Sequence, residues 1–355
     1  MTDAIHPLVP PATPLLELAD SSLRIGGLDG ADGLLVTGGG PWLAPLVRGL
    51  DGRRSTRTVL ADAAATGLDP VAVHDLLDGL RSAGLRTDVD PADLLAAEAG
   101  PAARSRTAVE LPGTLGAAPQ DGGRSPTWRA RRAARVVVDG ATRVGAPLAS
   151  VLAASGIGRL DVRDRRPVAS ADAVVGGVTA QDEGRLRSMA AADAVRRVHP
   201  TVDLRPLDAG ELPDLVVLCR PWAAVDPLSS AWQRAGVPHL VATMRGEAGV
   251  VGPLVVPGLT SCLRCGDLHR RDADHRWPEM AAQLTAVEPP PSGATLTCLA
   301  TALTAALQVL AHVDGGAAPA ALEATIELRL PDLVPRRRSW PPHPACGCAG
   351  SRTGR

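Results

Sequence analysis

The chain has 355 residues, a formal net charge of -1 and 45% hydrophobic residues, which describes a globular protein long enough for two domains. Neither sign of charge dominates, and this excludes a uniformly basic nucleic-acid binder or an acidic solvating tail as a description of the whole chain. Lys, Asn, Phe and Tyr are absent, so no chemistry here can rest on a Lys or Asn side chain, cores must be built from Leu, Val and Ala, and Arg stands wherever a long cationic side chain is needed.

The N-terminal stretch MTDAIHPLVPPATP lacks a basic segment followed by an apolar core, so the expectation is no secretory signal and a cytoplasmic, thiol-reducing location. Pro7 to Pro14 reads as an extended lead-in. Strands are predicted at Ser22 to Ile25 and Leu34 to Val36, separated by the Gly/Asp turn Gly26 to Gly33. Three short helices follow. The first runs near Pro41 to Leu50, with Trp42, Leu43, Leu46, Val47 and Leu50 on one face, and the second covers Thr56 to Ala65. The third has Asp69 as N-cap, Pro70 at its first position, Val73, Leu76, Leu77 and Leu80 as apolar stripe, and Gly84 beyond its end. With a final edge at Leu85-Arg86-Thr87, residues 1–90 read as a small winged-helix-like α+β module. Such modules often bind DNA, but Asp75 and Asp78 on the third helix would face phosphates badly. An extended peptide adding to the sheet edge fits better.

Residues 91–132 read as a linker rich in Ala, Gly, Pro and Ser, with one helix at Pro91 to Ala99 and the loosest point at Gly122 to Pro126. Arg129 to Arg132 is expected to be a solvated entry into the next strand. From 133 to 355 the pattern is α/β. Val136-Val137-Val138 is a short buried strand, Gly140 to Gly145 a turn, Leu148, Val151 and Leu152 a helix closed by Gly156 and Gly158, and Leu160 to Asp164 a second strand. A helix follows from about Asp182 to Val198, with Leu186, Met189, Ala190, Ala194 and Val198 inside. Further strands are expected at Val202 to Leu204, Leu215 to Cys219 and Pro238 to Ala242, with a helix at Ser229 to Ala235. This alternation gives a doubly wound, mostly parallel sheet, and Val250 to Val256 and Thr325 to Leu330 add strands that mix it. Ala294 to Val313 is apolar but carries four Thr, Gln308 and His312, and reads as a buried helix rather than a membrane span.

Two pairs of cysteines carry the most specific chemical signal. Cys262 and Cys265, with Cys346 and Cys348, suit a closed tetrahedral zinc site. A redox pair is the alternative, set aside because no helix N-terminus of thioredoxin type is expected after Cys262. Cys219 and Cys298 read as small buried residues, with a nucleophilic role as the alternative. His269, His275 and His343 flank the cysteines as surface or supporting groups rather than ligands. No hydrolase motif is present.

With these motifs in view, residues 135–350 resemble the ThiF/ubiquitin-activating-enzyme superfamily. More narrowly, Gly252 to Gly258, Thr260 to Arg270 and His343 to Cys348 resemble the cyclodehydratase partner proteins of azole-modified peptide pathways. The resemblance implies that the N-terminal module binds the leader segment of a precursor peptide and that the partner is a YcaO-type enzyme. It also implies a homodimer, with no role for a membrane or nucleic acid. Active superfamily members adenylate a carboxylate with a Gly-x-Gly-Gly-x-Gly turn, an acidic residue and Asn, Arg and Lys side chains around the phosphates. Here Gly140, Gly145 and Asp164 are kept, Thr142 and Arg143 replace the two middle glycines, and the loop that should supply Asn and Arg reads Ser170 to Val175. These five, Gly140, Thr142, Arg143, Gly145 and Asp164, make a degenerate nucleotide site in a non-catalytic scaffold, with ATP binding lost or much weakened. The alternative is an active ATP-dependent adenylyltransferase acting on a peptide or sulfur-carrier carboxylate, with Arg143 or Arg165 supplying the missing cations. A nicotinamide-dependent oxidoreductase lacks a catalytic acid or base at recognisable spacing.

Overall fold

A computed structural model of the chain describes residues 5–27, 33–90, 106, 109–110, 125–287 and 289–348. The helix expected at Pro91 to Ala99 and the loose stretch 122–124 lie outside these residues. The chain divides after Arg129 into two compact units.

In the first unit, β1 (His6–Leu8) lies in the Pro-rich lead-in, and β2 (Leu15–Glu17), β3 (Leu23–Gly26) and β4 (Gly33–Val36) form an antiparallel sheet with β3 in the middle. Three-residue strands are too short to show a period, which is why β1 and β2 escaped the sequence reading. Alternation places Leu23 and Ile25 inside, while the Leu16, Arg24 and Leu35 row faces outward. The helices α1 (Leu43–Arg48), α2 (Thr56–Ala65) and α3 (Pro70–Ser82) stand where predicted. The Ser55 hydroxyl accepts the Thr58 amide at 3.1 Å and the Asp69 carboxylate accepts the Val71 amide at 2.9 Å, each satisfying a donor that a helix start leaves open. Val73, Leu76, Leu77 and Leu80 are buried in one cluster with Ile25, Leu43 and Val47. The expected edge at Leu85 to Thr87 is displaced to β5 (Thr87–Val89), which pairs with β1 and not with the three-stranded sheet.

The second unit is built on a seven-stranded sheet. Its centre is parallel: β6 (Arg135–Asp139) lies between β7 (Arg159–Arg163) and β8 (Leu215–Leu218), and β9 (His239–Arg245) lies beyond β8. Antiparallel β10 (Ala248–Val255), β11 (Ala324–Leu328) and β12 (Arg336–Ser339) extend the β9 side. The continuous apolar strands Val136 to Val138 and Leu215 to Leu218 are fully buried, as parallel strands covered on both faces must be. The helices α5 (Gly145–Ala154) and α6 (Arg187–Val198) connect β6 to β7 and β7 to β8, and α7 (Ser230–Arg234) precedes β9. This is the α/β, Rossmann-like sheet expected. Its order reverses between β6 and β8, where folds of this kind place their ligands.

Several expectations change. Val202 to Leu204 is reduced to a single parallel bridge between Asp203 and Arg159, because the Asp203 carboxylate turns back to accept the Arg205 amide at 2.9 Å and Pro206 has no donor to extend a ladder. In α6 the buried face is Ala190, Ala191, Ala194 and Val195, while Leu186, Met189 and Val198 are exposed; small residues pack that helix closely onto α5. The Arg129 to Arg132 run belongs to the helix α4 (Ser125–Ala133). Far from solvated, Arg131 is 2% exposed and pairs through Nε and Nη2 with Asp314 at 2.7 and 2.5 Å. The helices α8 (Leu263–Ala273) and α9 (Trp277–Ala286) were not foreseen, and the apolar stretch forms α10 (Thr295–Asp314). α10 is long and apolar enough to cross a membrane, yet half of its most apolar window is buried inside this fold.

Candidate functional site

The turn from Gly140 to Gly145 lies at the reversal of strand order. Gly140 has φ +109°, and a Cβ there would come within 2.9 Å of the Arg220 amide. At Gly145 a Cβ would strike the Gly140 carbonyl oxygen. Gly140 is therefore required by the close passage of the turn against the residues that follow β8, and Gly145 by the turn's closure on the Gly140 carbonyl, whatever it binds.

The two replacements act directly on the donors that a phosphate would need. The Thr142 hydroxyl accepts from the Val144 and Gly145 amides at 3.3 and 3.2 Å and faces the Cys219 carbonyl oxygen at 3.3 Å. The Ala146 amide is bonded to the Thr142 carbonyl oxygen at 3.0 Å. A helix N-terminus binds anions through such open amides, and here a side chain has taken them. Arg143 donates to the Gly293 carbonyl oxygen at 2.6 Å and to the Thr295 hydroxyl at 2.9 Å, tying the turn to the start of α10.

Asp164 is equally engaged. Its carboxylate accepts the Ala141 amide at 3.0 Å and the Arg166 guanidinium at 2.8 and 2.6 Å. Burial alone pushes this carboxyl up, but Arg166, with a smaller contribution from Arg187, brings it below the ordinary carboxylate range. The oxygens that would meet a ribose hydroxyl already hold internal donors. Beside the turn is a cavity of about 210 Å³ lined by Thr142, Arg143, Asp172, Arg187, Cys219 and Trp222 among others, below the roughly 300–1,000 Å³ usual for a cofactor-sized ligand. Asp172 is buried and paired with Arg187 at 2.7 Å. Arg166 and Arg187 are cations that sequence pattern alone does not single out; the proximity of Arg187 to Asp164 and Asp172 arises from the packing of α6 on the loop after β7. Arg165, offered as a stand-in, is exposed and does not line the cavity. Cys219 is buried, and its thiol is pushed up by burial and by Asp139, the reverse of what a nucleophile needs.

The four cysteines come together as the spacing predicts. The sulfurs of Cys262, Cys265, Cys346 and Cys348 all lie within 4.8 Å of one another, with Cys262–Cys346 at 3.6 Å, Cys265–Cys348 at 3.3 Å and Cys262–Cys265 at 3.9 Å. Tetrahedral zinc with bonds of about 2.3 Å separates its sulfurs by about 3.8 Å, so the donor set fits a closed thiolate site. One premise needs correction: Cys262 is the N-cap of α8 and Cys265 lies in its first turn, so a helix N-terminus does follow Cys262. The thioredoxin comparison is displaced by geometry instead: four sulfurs from two pairs, not one pair, converge within 4.8 Å of one another. His343 braces the C-terminal pair. Its Nε2 meets Asp272 at 2.8 Å, its Nδ1 accepts the Ala345 amide at 3.1 Å, and its carbonyl oxygen accepts the Cys346 amide at 2.9 Å.

Comparison with known proteins adds to this geometry. The ThiF family profile matches residues 125–348. The chain belongs to the ThiF family. No curated protein sequence matches it. Among solved structures, this ThiF-family chain is similar to Escherichia coli MccB with ATP, at 16% identity and TM-score 0.64 over 97% of this chain and 99% of that one. The Microcin C7 biosynthetic enzyme MccB in complex with N-formylated MccA gives 16% identity and TM-score 0.63 over the same shares. PaaA gives 16% identity and TM-score 0.56 over 92% of this chain and 98% of that one. At these identities the similarity establishes the fold.

Proposed function

We propose that this ThiF-family protein is a peptide-binding scaffold without adenylation activity. In this reading the winged-helix-like module at 1–90 captures the leader segment of a precursor peptide, and the ThiF-like domain at 133–355, braced by structural zinc, presents the peptide to a YcaO-type ATP-dependent cyclodehydratase. The observation that carries the reading is the Thr142 hydroxyl seated on the Val144 and Gly145 amides, with Asp164 engaged by Arg166. Phosphoryl chemistry without its cradle of donors loses its largest electrostatic contribution.

Peptide capture is supported by the free edges of the β2-β3-β4 sheet, where an extended segment can continue the ladder. A cavity of about 230 Å³ lined by Leu18, Leu23, Leu43 and Ala44 opens beside β2 and offers room for an apolar side chain. MccB structures contain MccA or N-formylated MccA, which favours a peptide partner here. The exposed Leu296, Leu303 and Leu307 on α10 supply an apolar face for the expected homodimer.

Titration calorimetry with ATP and magnesium is the direct test: no heat is expected, and micromolar binding overturns the scaffold reading. A second reading, an adenylyltransferase, draws on the Arg143 and Arg187 guanidinium groups lining the cavity and on the MccB structure with ATP. Peptide-dependent pyrophosphate exchange would establish it.

A further inference from the structure

The antiparallel half of the second unit's sheet carries an arginine group that neither the turn nor the cysteines use. Strand alternation and register put Arg245 of β9, Glu327 of β11, and Arg336 and Arg338 of β12 on one face, with Arg270 of α8 beside them in a cleft that also includes Arg245, Trp222 and Trp277. The available carboxylates are taken: Glu327 pairs with Arg329 at 3.0 Å, Asp332 with Arg336 at 2.7 Å, and Asp267 accepts the Trp277 indole N–H. Among the described residues, the guanidinium groups of Arg245, Arg270 and Arg338 make no direct ion pair or hydrogen bond, although Glu327 attracts Arg245 and Asp267 attracts Arg270 from a distance. They are held by rings instead. Arg338 lies 4.3 Å and Arg270 4.7 Å from the Trp340 ring centre, and Arg245 lies 5.8 Å from that of Trp222.

Like charges gathered on rings, with the nearby carboxylates committed to other partners, are unfavourable unless something anionic completes the set. The strain shows in Arg270, which burial and the neighbouring Arg245 and Arg338 bring down to about 10, against the opposing pull of Asp267. We propose that the β9–β12 face, centred on Arg245, Arg270 and Arg338, docks an acidic peptide segment whose carboxylates pair with these guanidinium groups. β12 is the edge of the sheet and exposed along its length, so an extended segment can lie along it while its alternate side chains reach the arginines. Planar guanidinium forks match carboxylates two hydrogen bonds at a time. A nucleic acid fits less well: Trp340 is buried under Arg270 and Arg338, and the rings of Trp222 and Trp277 already carry Arg245 and Arg270, where a base would have to stack. This surface belongs to the second unit and is independent of peptide capture by the first.

The test uses the full chain and a fluorescein-labelled peptide of alternating Glu and Thr, read by anisotropy at low salt. The wild type is expected to bind it, to release it as salt rises, and to ignore the same peptide with Gln for Glu. R245Q/R338Q, at two exposed positions, is expected to weaken binding roughly tenfold. Arg205→Gln, which removes an exposed charge elsewhere, should leave binding intact. R245Q alone, expected to lose severalfold, stands in if the double variant loses its melting transition. Failure of the wild type to bind, equal binding of the Gln peptide, or an equal loss in R205Q overturns the proposal. Tighter binding of a single-stranded oligonucleotide than of the Glu peptide overturns it as well.

Discussion

The glycine turn and the cysteine cluster lie in the same unit and show how differently two kinds of binding site are written into a chain. A thiolate metal site is made of side chains, so it is either present in the sequence or not, and here all four sulfurs converge. A phosphate site is made largely of the absence of side chains and of open backbone donors. One hydroxyl, on Thr142, occupies two of those donors while Gly140 and Gly145 persist unchanged. Retained glycines are then no measure of retained function, because the turn's closure and its close passage beside Cys219 and Arg220 demand them independently.

The largest effect expected is on the cysteine side of this contrast. One zinc per chain should be found by metal analysis, and chelation or Cys265→Ser should cost much of the second unit's stability, since structural zinc in small domains binds with about 10–16 kcal/mol. Calorimetric melting with and without chelator reads this; an unchanged transition in a metal-free protein would remove the zinc assignment. Next, Gly145→Ala should destabilise by about 1–3 kcal/mol through forced backbone movement, measured by urea unfolding. A silent substitution would mean that the glycine is kept for a ligand rather than for the fold. Thr142→Ala should cost about 0.5–2 kcal/mol, as loss of a side chain that holds helix-start amides does. It should also open those amides, so any gain in ATP affinity relative to the wild type sharpens the contrast, and a stability unchanged within error breaks it.

The smallest effect concerns pH. Asp164 is held below the ordinary value of about 3.9 in the folded protein. A depressed carboxyl contributes stability that is fully present above its unfolded value and is lost as pH falls through its folded one. Melting temperatures should therefore fall below about pH 4, and Arg166→Gln should flatten that part of the profile. An identical acid profile in R166Q would show that Arg166 does not hold the carboxylate.

Much of the fold was legible because its signals are local. Apolar runs at Val136 to Val138 and Leu215 to Leu218 mark buried strands, Asp69-Pro70 marks a helix start, and two close pairs of thiols mark a metal site. The missed elements lacked such marks. β1 and β2 are three residues each, α8 follows a cysteine whose side chain makes no capping hydrogen bond, and β12 is a run of arginines that no strand pattern would select.

By itself the sequence determined the α/β alternation, the composition of the cysteine site and the loss of the two middle glycines, because each depends on residue type and short-range spacing. Only the tertiary structure decided what Thr142 bonds, that Arg166 engages Asp164, that Arg131 is buried on Asp314, and that Arg270 comes beside the sheet face carrying Arg245 and Arg338. Those outcomes depend on which of many chemically equivalent arginines and amides are brought within about 3 Å of one another, and that is set by long-range packing.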